Sequence, residues 1–310
     1  MRFKKLDLNL LVALEALLTE RNVTRAGERL ALSQSATSNA LARLRQYFND
    51  ELLVSVRGKL ELTPRAEVLH EAVRDLLLRI DTTVAVEPEF DPRASDREFT
   101  LFVSDYSMEV LIPRVLALAA RCGSRIRLRL KQQAAHPYRS LEHGEADFLI
   151  IPGIFCSPDH PQQKLFADHF VSVVWKDSPL AVGELTLERY LAASHVDMQP
   201  SDDELPVLEH WFTAEHRMRR RVAVSSHNFV AIPHMVVGSD LIGTVHSRLA
   251  QMVMPAIPVV VRPVPLPMME FEQTLQWHKY RSRDPGLIWL RSLLVEAASE
   301  LATPMASPIP

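Results

Sequence analysis

The sequence predicts an α/β protein with an all-α N-terminal part. Three observations carry that prediction. Over residues 6–48, and again over 66–84, apolar residues recur at the three-and-four spacing of helices with one buried face. Beyond Arg97, short alternating or apolar runs take turns with helical stretches, the order of strand–helix–strand units. Between the two parts, "VEPEFDPRASDRE" concentrates proline and charge and reads as a linker over 87–96. A chain of 310 residues can hold two or three domains with cores of their own, and 47% apolar with 24% charged residues excludes general disorder.

The N-terminal part, 1–63, is read helix by helix. Residues 6–20 form an amphipathic helix with Leu8, Leu11, Val12 and Leu18 facing inward. Thr24 caps a second helix, "RAGERLAL", with Ala26 and Leu30 inside; Gly27 within it costs ~1 kcal/mol of helix propensity relative to Ala. The third helix is "SQSATSNALARLRQYFND", with Ser33 as its N-cap. Ala40, Leu41, Leu44, Tyr47 and Phe48 make its apolar stripe. Gln34, Ser35, Ser38, Asn39, Ala42 and Arg43 fall largely on the other side. Such a face of short hydroxyls and amides, ending in Arg43 and Arg45, suits close approach and hydrogen bonding. Helix, short turn, helix is the pattern whose second member enters the DNA major groove. "LLVSV" and "KLELT" then form a hairpin around Gly58, a wing with Arg57 and Lys59 at its tip.

Charge supports a nucleic-acid partner for this part alone. Residues 1–60 carry a net +4, while the rest of the chain carries −7. Gln34, Ser35, Ser38 and Asn39 are the types that read base edges. Arg43, Arg45, Arg57 and Lys59 serve bases or phosphates, with Ser33 at the helix start. A solvated helix face is the competing reading. Non-specific DNA compaction fits poorly with so acidic a body.

Pro64 suits the first position of a long helix, 64–86. Its one-sided apolar residues call for a partner helix, and a second copy of the chain is the simplest, with Leu69, Val73, Leu76, Leu77 and Ile80 at the seam. From 97 to 303 the strands "FTLFV", "IRLRL", "ADFLII", "FVSVVW", "VAVSS", "LIGTV" and "IPVVV" alternate with helices. The helices are expected at about 110–121, in "DELPVLEHWFTAEH" and in "LIWLRSLLVEAASEL". This predicts an open domain with largely parallel sheets, followed by a mobile tail over 304–310.

Catalytic chemistry finds no motif. His136, His210, His216 and the other histidines make no metal-spaced pair with cysteine or acid, and His210 and His216 stand six apart, off one helical face. No phosphate loop, dinucleotide fingerprint or nucleophile elbow is present, so no enzyme activity, cofactor or metal is expected. Cys122 and Cys156 give no disulfide framework and suit a reducing compartment; Cys156 reads as an ordinary thiol rather than a redox sensor. No long uncharged apolar run or signal peptide is seen, so a cytoplasmic protein without membrane attachment is expected.

At this point a resemblance becomes specific. "DLNLLVALEALLTERNVTRAGERLALSQSATSNALARLRQYFNDELLV", followed by "RGKLELTPRAEVL", resembles the DNA-binding part of LysR-type transcriptional regulators. "REFTLFVSDY", "GEADFLI", "LIGTVHSRLA" and "QWHKYRSRDPGLIWLRSLL" resemble the effector domain of the branch holding the nodulation and salicylate-responsive regulators. Three positions depart from the family's habit: Ser35 where Pro is common, Thr37 where an apolar Met or Val is common, and Gly27 where Ala is usual.

The resemblance implies a winged helix-turn-helix, a linker helix and a two-lobed domain of the periplasmic-binding-protein kind. One lobe would hold about 97–166 and 268–303, the other about 167–267, with hinges near Phe166 and Leu266. It implies a homodimer or homotetramer on a two-fold operator in double-stranded DNA, a small-molecule effector, and RNA polymerase as a possible partner. Ser104 and Ser107, where the first strand opens into a helix, would hold an anionic oxygen. "ADHFVSVV" and "SSHNF" resemble segments that carry pocket histidines, which points to His169 and His227. Phe155, Phe229 and Met198 would face an aromatic ring, and Tyr106, Pro152 and Thr244 complete the expected pocket. The effector would be an aromatic acid or a phenol. The alternative is a small-molecule-binding α/β protein without sequence-specific DNA activity.

Overall fold

The structure, a computed structural model, describes residues 6–84, 89–133, 137–199, 218–267 and 270–302. The expected helix "DELPVLEHWFTAEH" with His210 and His216, His136, the linker residues 87 and 88, and the tail 304–310 lie outside the described residues. The chain divides into two units, Met1–Val86 with Glu142–Gly144, and the remainder.

The first unit has the order α1 (Leu8–Glu20), α2 (Val23–Arg29), α3 (Gln34–Phe48), β1 (Leu53–Val56), β2 (Lys59–Leu62) and α4 (Pro64–Val84). Leu10, Leu14, Leu17 and Leu18 of α1 meet Ala26, Leu41, Leu44, Leu52, Leu53, Ala66 and Val73 in one core. The inward face of α1 is only partly the one expected: Leu18 is buried and Leu11 packs against the core, but Leu8 and Val12 are exposed. "LNLLVALEALL" is apolar nearly all round, so periodicity cannot select its buried side. Asn22, not Thr24, caps α2, its side chain accepting from the Arg25 N–H at 3.1 Å; Thr24 sits inside the first turn. Ser33 caps α3 as expected, accepting from the Ala36 N–H at 3.2 Å.

The wing is a two-residue hairpin. Arg57 and Gly58 both take positive φ, 49° and 80°, as the type I′ connection demands. Along α4, Ala66 and Val73 are buried, with Leu69 and Leu77 packed against the same core. Three of the five residues expected at a subunit seam, Leu69, Val73 and Leu77, are thus occupied within their own chain. The apolar residues left outward are Val68, Leu76 and Val84, at 72%, 42% and 80% exposure, with Ile80 half-buried.

The second unit contains two five-stranded sheets. The first has the order β4-β3-β5-β12-β6, built from β3 (Glu98–Val103), β4 (Arg127–Lys131), β5 (Phe148–Pro152), β6 (Gln162–Asp168) and β12 (Phe271–Gln276). The second has the order β11-β7-β10-β8-β9, from β7 (Phe170–Trp175), β8 (Ser194–Met198), β9 (Arg221–Ser226), β10 (Leu241–His246) and β11 (Val259–Pro263). Both sheets are mixed rather than largely parallel. β12 runs antiparallel to β5 and β6, and β7 antiparallel to β10 and β11. The cause is connectivity: the chain leaves the first lobe along β6, crosses at His169, and returns between β11 and β12, so its crossing strands oppose their neighbours.

Helices cover the sheets. The helical stretch expected from Val110 begins earlier and is two helices, α5 (Asp105–Val110) and α6 (Ile112–Arg121), broken at Leu111 just ahead of Pro113. Among the described residues the others are α7 (Pro137–Glu142), α8 (Leu187–Ala192), α9 (Ile232–Met235), α10 (Ser247–Val253) and α11 (Pro285–Ala302). α11 buries Leu287, Leu290, Leu293, Leu294, Ala297, Ala298 and Leu301 against the core. No helix among the described residues is long and apolar enough to cross a membrane.

Two of the three unusual positions in the DNA-binding part are one feature. A Cβ at Gly27 would lie 2.9 Å from Thr37 Oγ1 and 3.0 Å from the Leu32 carbonyl oxygen. Thr37 is fully buried, and its hydroxyl donates to the Ser33 carbonyl at 3.0 Å. The branched hydroxyl therefore occupies the space that an Ala methyl would need. Gly27→Ala should lower stability by about 1–2 kcal/mol, because overpacking outweighs the gain of ~1 kcal/mol in helix propensity. In Thr37→Ala protein the same change should cost clearly less. Urea melts of the four members of this cycle check it, additive effects counting against the contact.

Candidate functional site

α3 presents the surface that chemistry requires of a groove-reading helix. Gln34, Ser35, Ser38, Asn39 and Arg43 are all exposed, with Ala42 between them too short to obstruct approach. Leu41, Leu44 and Thr37 are buried beneath. Gln46, seven residues beyond Asn39, continues the exposed face; its spacing could have flagged it from sequence. Arg57 and Lys59 are exposed on the wing. Arg43 makes only a long contact with Asp7, 3.5 Å between two half-exposed side chains, a weak pairing that a phosphate or base can replace.

Two expected contact residues have other employment. Arg45 donates from Nε to the Glu51 carbonyl (2.8 Å) and from its terminal nitrogen to the Leu53 carbonyl (2.9 Å). Its guanidinium holds the entry to the wing and is a scaffold group. The Ser33 hydroxyl is committed to the cap and to Ser35 Oγ at 3.0 Å.

In the second unit the expected pocket is rearranged. Ser104 Oγ caps α5, accepting from the Ser107 N–H (3.2 Å) and donating to Ser107 Oγ (3.1 Å), and Ser107 is fully buried. Asp105 follows at once and accepts from the Val230 N–H at 2.9 Å, across from the other lobe. An anion cradle is thus replaced by a capped turn that already carries a carboxylate. His169 is exposed at the crossing, its side chain at 59%. His227 is exposed too, with Nδ1 3.2 Å from the Gln199 carbonyl oxygen. Neither is enclosed. Phe155 is 41% exposed on a short 3-10 turn, and Pro152 ends β5 opposite Gln273. Thr244 is fully buried inside the second lobe against the Tyr190 hydroxyl (3.0 Å). Met198 is half-buried against the core.

What meets between the lobes is a group of rings that sequence reasoning only partly found. His246, at the end of β10, lies flat on Tyr106 of α5, ring centroids 3.7 Å apart at 7°. Phe229, Phe170 and Phe271 stand 4.4, 4.8 and 4.8 Å from the same imidazole. Burial keeps His246 well below the ordinary histidine range, so it is a neutral ring. The Tyr106 hydroxyl donates a hydrogen bond to Asp168, and its pKa is raised, first by burial and then by that carboxylate. Ser247 donates to Asp168 from the other lobe at 2.5 Å. Tyr106 and Phe229 were expected at the site. His246, Phe170, Phe271 and Asp168 were not, and only the apolar flanks of His246 in "LIGTVHSRLA" could have signalled an enclosed histidine.

Elsewhere, Cys156 is a half-buried free thiol whose pKa burial pushes up to about 11. Among the described residues no three His, Cys, Asp or Glu side chains gather as a metal site.

A fold with an exposed reading helix, a wing and a two-lobed α/β domain defines a ligand-responsive DNA-binding regulator, and comparison with known proteins agrees. Residues 8–67 match the bacterial regulatory helix-turn-helix domain of the lysR family, and 92–299 match the LysR substrate binding domain. The chain belongs to the LysR family of transcriptional regulators. It is 40% identical to a nodulation protein D of Bradyrhizobium sp. (strain ANU 289) over 99% of this chain and 91% of that protein. Among solved structures it is similar to a probable transcriptional regulator from Pseudomonas aeruginosa, 30% identical, TM-score 0.64, covering 94% of this chain and 97% of that one. Full-length OxyR from the same organism shares the fold at TM-score 0.72 and 18% identity, covering 98% and 99%. The alternative of an α/β binding protein without DNA activity finds no support.

The exposed face of α3 makes a direct prediction. Arg43→Ala should weaken operator binding by about 1–3 kcal/mol and relax specificity at one position. Arg93→Ala, in the linker and bound to the Cys122 carbonyl, should bind as wild type. Fluorescence anisotropy on the footprinted operator compares the two; unchanged binding by Arg43→Ala would take this helix out of the groove.

Proposed function

We propose that this regulator binds a two-fold operator as a homodimer joined along α4 and responds to a hydroxyl-bearing aromatic effector at the seam between the lobes of its second unit. The reading of the effector is carried by one observation: stacked and edge-on rings surround His246 beside two carboxylates, Asp105 and Asp168. Rings of this kind favour an aromatic ligand by stacking and by excluding water. Carboxylates favour a ligand that donates hydrogen bonds and repel one that carries a carboxylate of its own. Of the two expected classes, aromatic acid and phenol, the phenol is supported better. Tyr106, Phe229 and Asp105 would contact it, with His246 stacking. His169 and His227 would lie at the rim.

The test is a melting series of the purified protein with neutral polyphenols and matched benzoates, since a ligand that binds the native state raises the melting temperature. Phenols should raise it and benzoates should not, and His246→Leu should abolish the rise while leaving the unliganded protein folded. A benzoate-only response, or equal responses in His246→Leu protein, would contradict the assignment.

For the seam between subunits, the support is the pair of outward apolar residues Val68 and Leu76 on α4, which lie on adjoining flanks of the helix. These side chains are too exposed to be packing within their own chain, and a second α4 would cover them. Val68→Lys with Leu76→Lys should dissociate the protein in sedimentation velocity at micromolar concentration, since two charges in a dry seam are costly. Leu69→Ala should instead lower the melting temperature, because Leu69 packs against the core of its own unit. RNA polymerase remains a partner proposed from family membership.

A further inference from the structure

α1 carries a polar cluster that the reading surface does not use. Glu15 is largely enclosed, its side chain 13% exposed, and its two oxygens take partners from two different helices. Oε2 accepts from Arg29, the last residue of α2, at 2.8 Å. Oε1 accepts from Arg74 Nε on α4 at 3.3 Å and from the Thr19 hydroxyl at 2.8 Å. Arg74, 14% exposed, also donates to Thr19 Oγ1 at 2.9 Å, and His70 Nε2 lies 3.1 Å from the same hydroxyl. Burial, then the Arg74 guanidinium, pulls His70 down to about 4, so it faces Thr19 as a neutral ring.

Apolar packing between helices tolerates small rotations, whereas charge-assisted hydrogen bonds between planar groups fix direction. α1 and α4 share the apolar core that holds Ala66, Leu69, Val73 and Leu77, and that packing contains no directional bond of its own. Glu15 grips the helix that leads into α3 with one oxygen and α4 with the other. Glu20 is different: it contacts only Arg25 and Arg29 of α2, at 3.6 and 3.9 Å, and bridges nothing to α4.

We infer that Glu15 is a positioning residue for two-site DNA recognition: by holding Arg29 and Arg74 together it sets the angle between the reading helices and α4, and so the spacing of two α3 helices in the dimer. This rests on the reading of α4 as the subunit seam. It follows that a change at Glu15 alters how two half-sites are bridged rather than how one is read.

The experiment uses the full chain and duplexes carrying one half-site, or two at the natural spacing and one base pair longer or shorter. Wild type, Glu15→Gln, Arg74→Met and the control Glu20→Gln are compared by anisotropy, with sedimentation and melting for each. Glu15→Gln and Arg74→Met should remain dimeric and bind a single half-site within about twofold of wild type. On the natural two-site duplex they should lose at least about tenfold, and their preference among spacings should flatten or shift. Glu20→Gln should match wild type throughout. Equal losses on one and two half-sites, no loss at all, or failure of both variants to fold would each overturn the inference and leave Glu15 a stabilising group only. A wild-type chain that sediments as a monomer would instead overturn the reading of α4, and is recognised before any variant is compared.

Discussion

The second unit depends on how one buried carboxylate is satisfied. Asp168 ends β6, one residue before the chain passes from the first sheet to the second, and its side chain is 1% exposed. Such a charge is costly in an apolar interior unless donors surround it. Four do: the Tyr106 hydroxyl, the Ser247 hydroxyl at 2.5 Å, and the backbone N–H groups of His169 (2.7 Å) and Arg248 (3.4 Å). Tyr106 belongs to the first lobe, Ser247 and Arg248 to the second. The crossing point is therefore also the bond between lobes, and removing any donor leaves part of a charge unsatisfied. The orientation of Tyr106 follows from its hydroxyl, and the position of His246 follows from the tyrosine ring it lies against.

The first unit shows the same rule in its arginines. Their number says little about DNA, because a guanidinium engaged by carbonyls or enclosed carboxylates is scaffold. Arg45 holds the wing by two carbonyls, and Arg29 and Arg74 close on Glu15. Arg43 and Arg57 are exposed, the first with only a long contact to Asp7. The exposed cations left for DNA are those that remain when the structural arginines are subtracted, and that subtraction depends on the fold.

Much of the architecture was legible because it rests on local chemistry. The Ser33 cap, the Arg57–Gly58 turn and the leucine spacing of α11 each act within a few residues. Three strands escaped, and they share a cause. β8 carries His195 and Asp197, both fully buried, while β12 carries Gln273, Thr274 and Gln276, all under 4% exposed. β6 opens with exposed Gln162 and exposed Lys164. Polar residues inside strands erase the apolar pattern by which strands are found, and several of the buried ones are answered by partners outside their own strand. Gln276, for instance, pairs through its side-chain amide with the backbone of Ser157. The proposed ligand site was half legible for the same reason. Tyr106 and Phe229 are visible as ring-bearing residues near strand and helix ends. The role of His246 depends on rings from α5, β7 and β12 meeting around it, which no local window contains.

The way these rings meet constrains how an effector can act. Tyr106 and His246 are in van der Waals contact face to face, so no ligand ring fits between them as they stand. An aromatic molecule entering the proposed site must part rings that belong to different lobes, or replace the edge contacts of Phe229 and Phe271. The first course moves one lobe against the other about Asp168, whose donors come from both; exchanging the Phe229 contact need not, since Phe229 and His246 belong to the same lobe. The free energy of effector binding is then the free energy of the ligand's own stacking less that of the ring contacts it displaces. On this proposal a ligand that parts Tyr106 from His246 changes the lobe geometry as it binds, so binding and the change of state are one equilibrium.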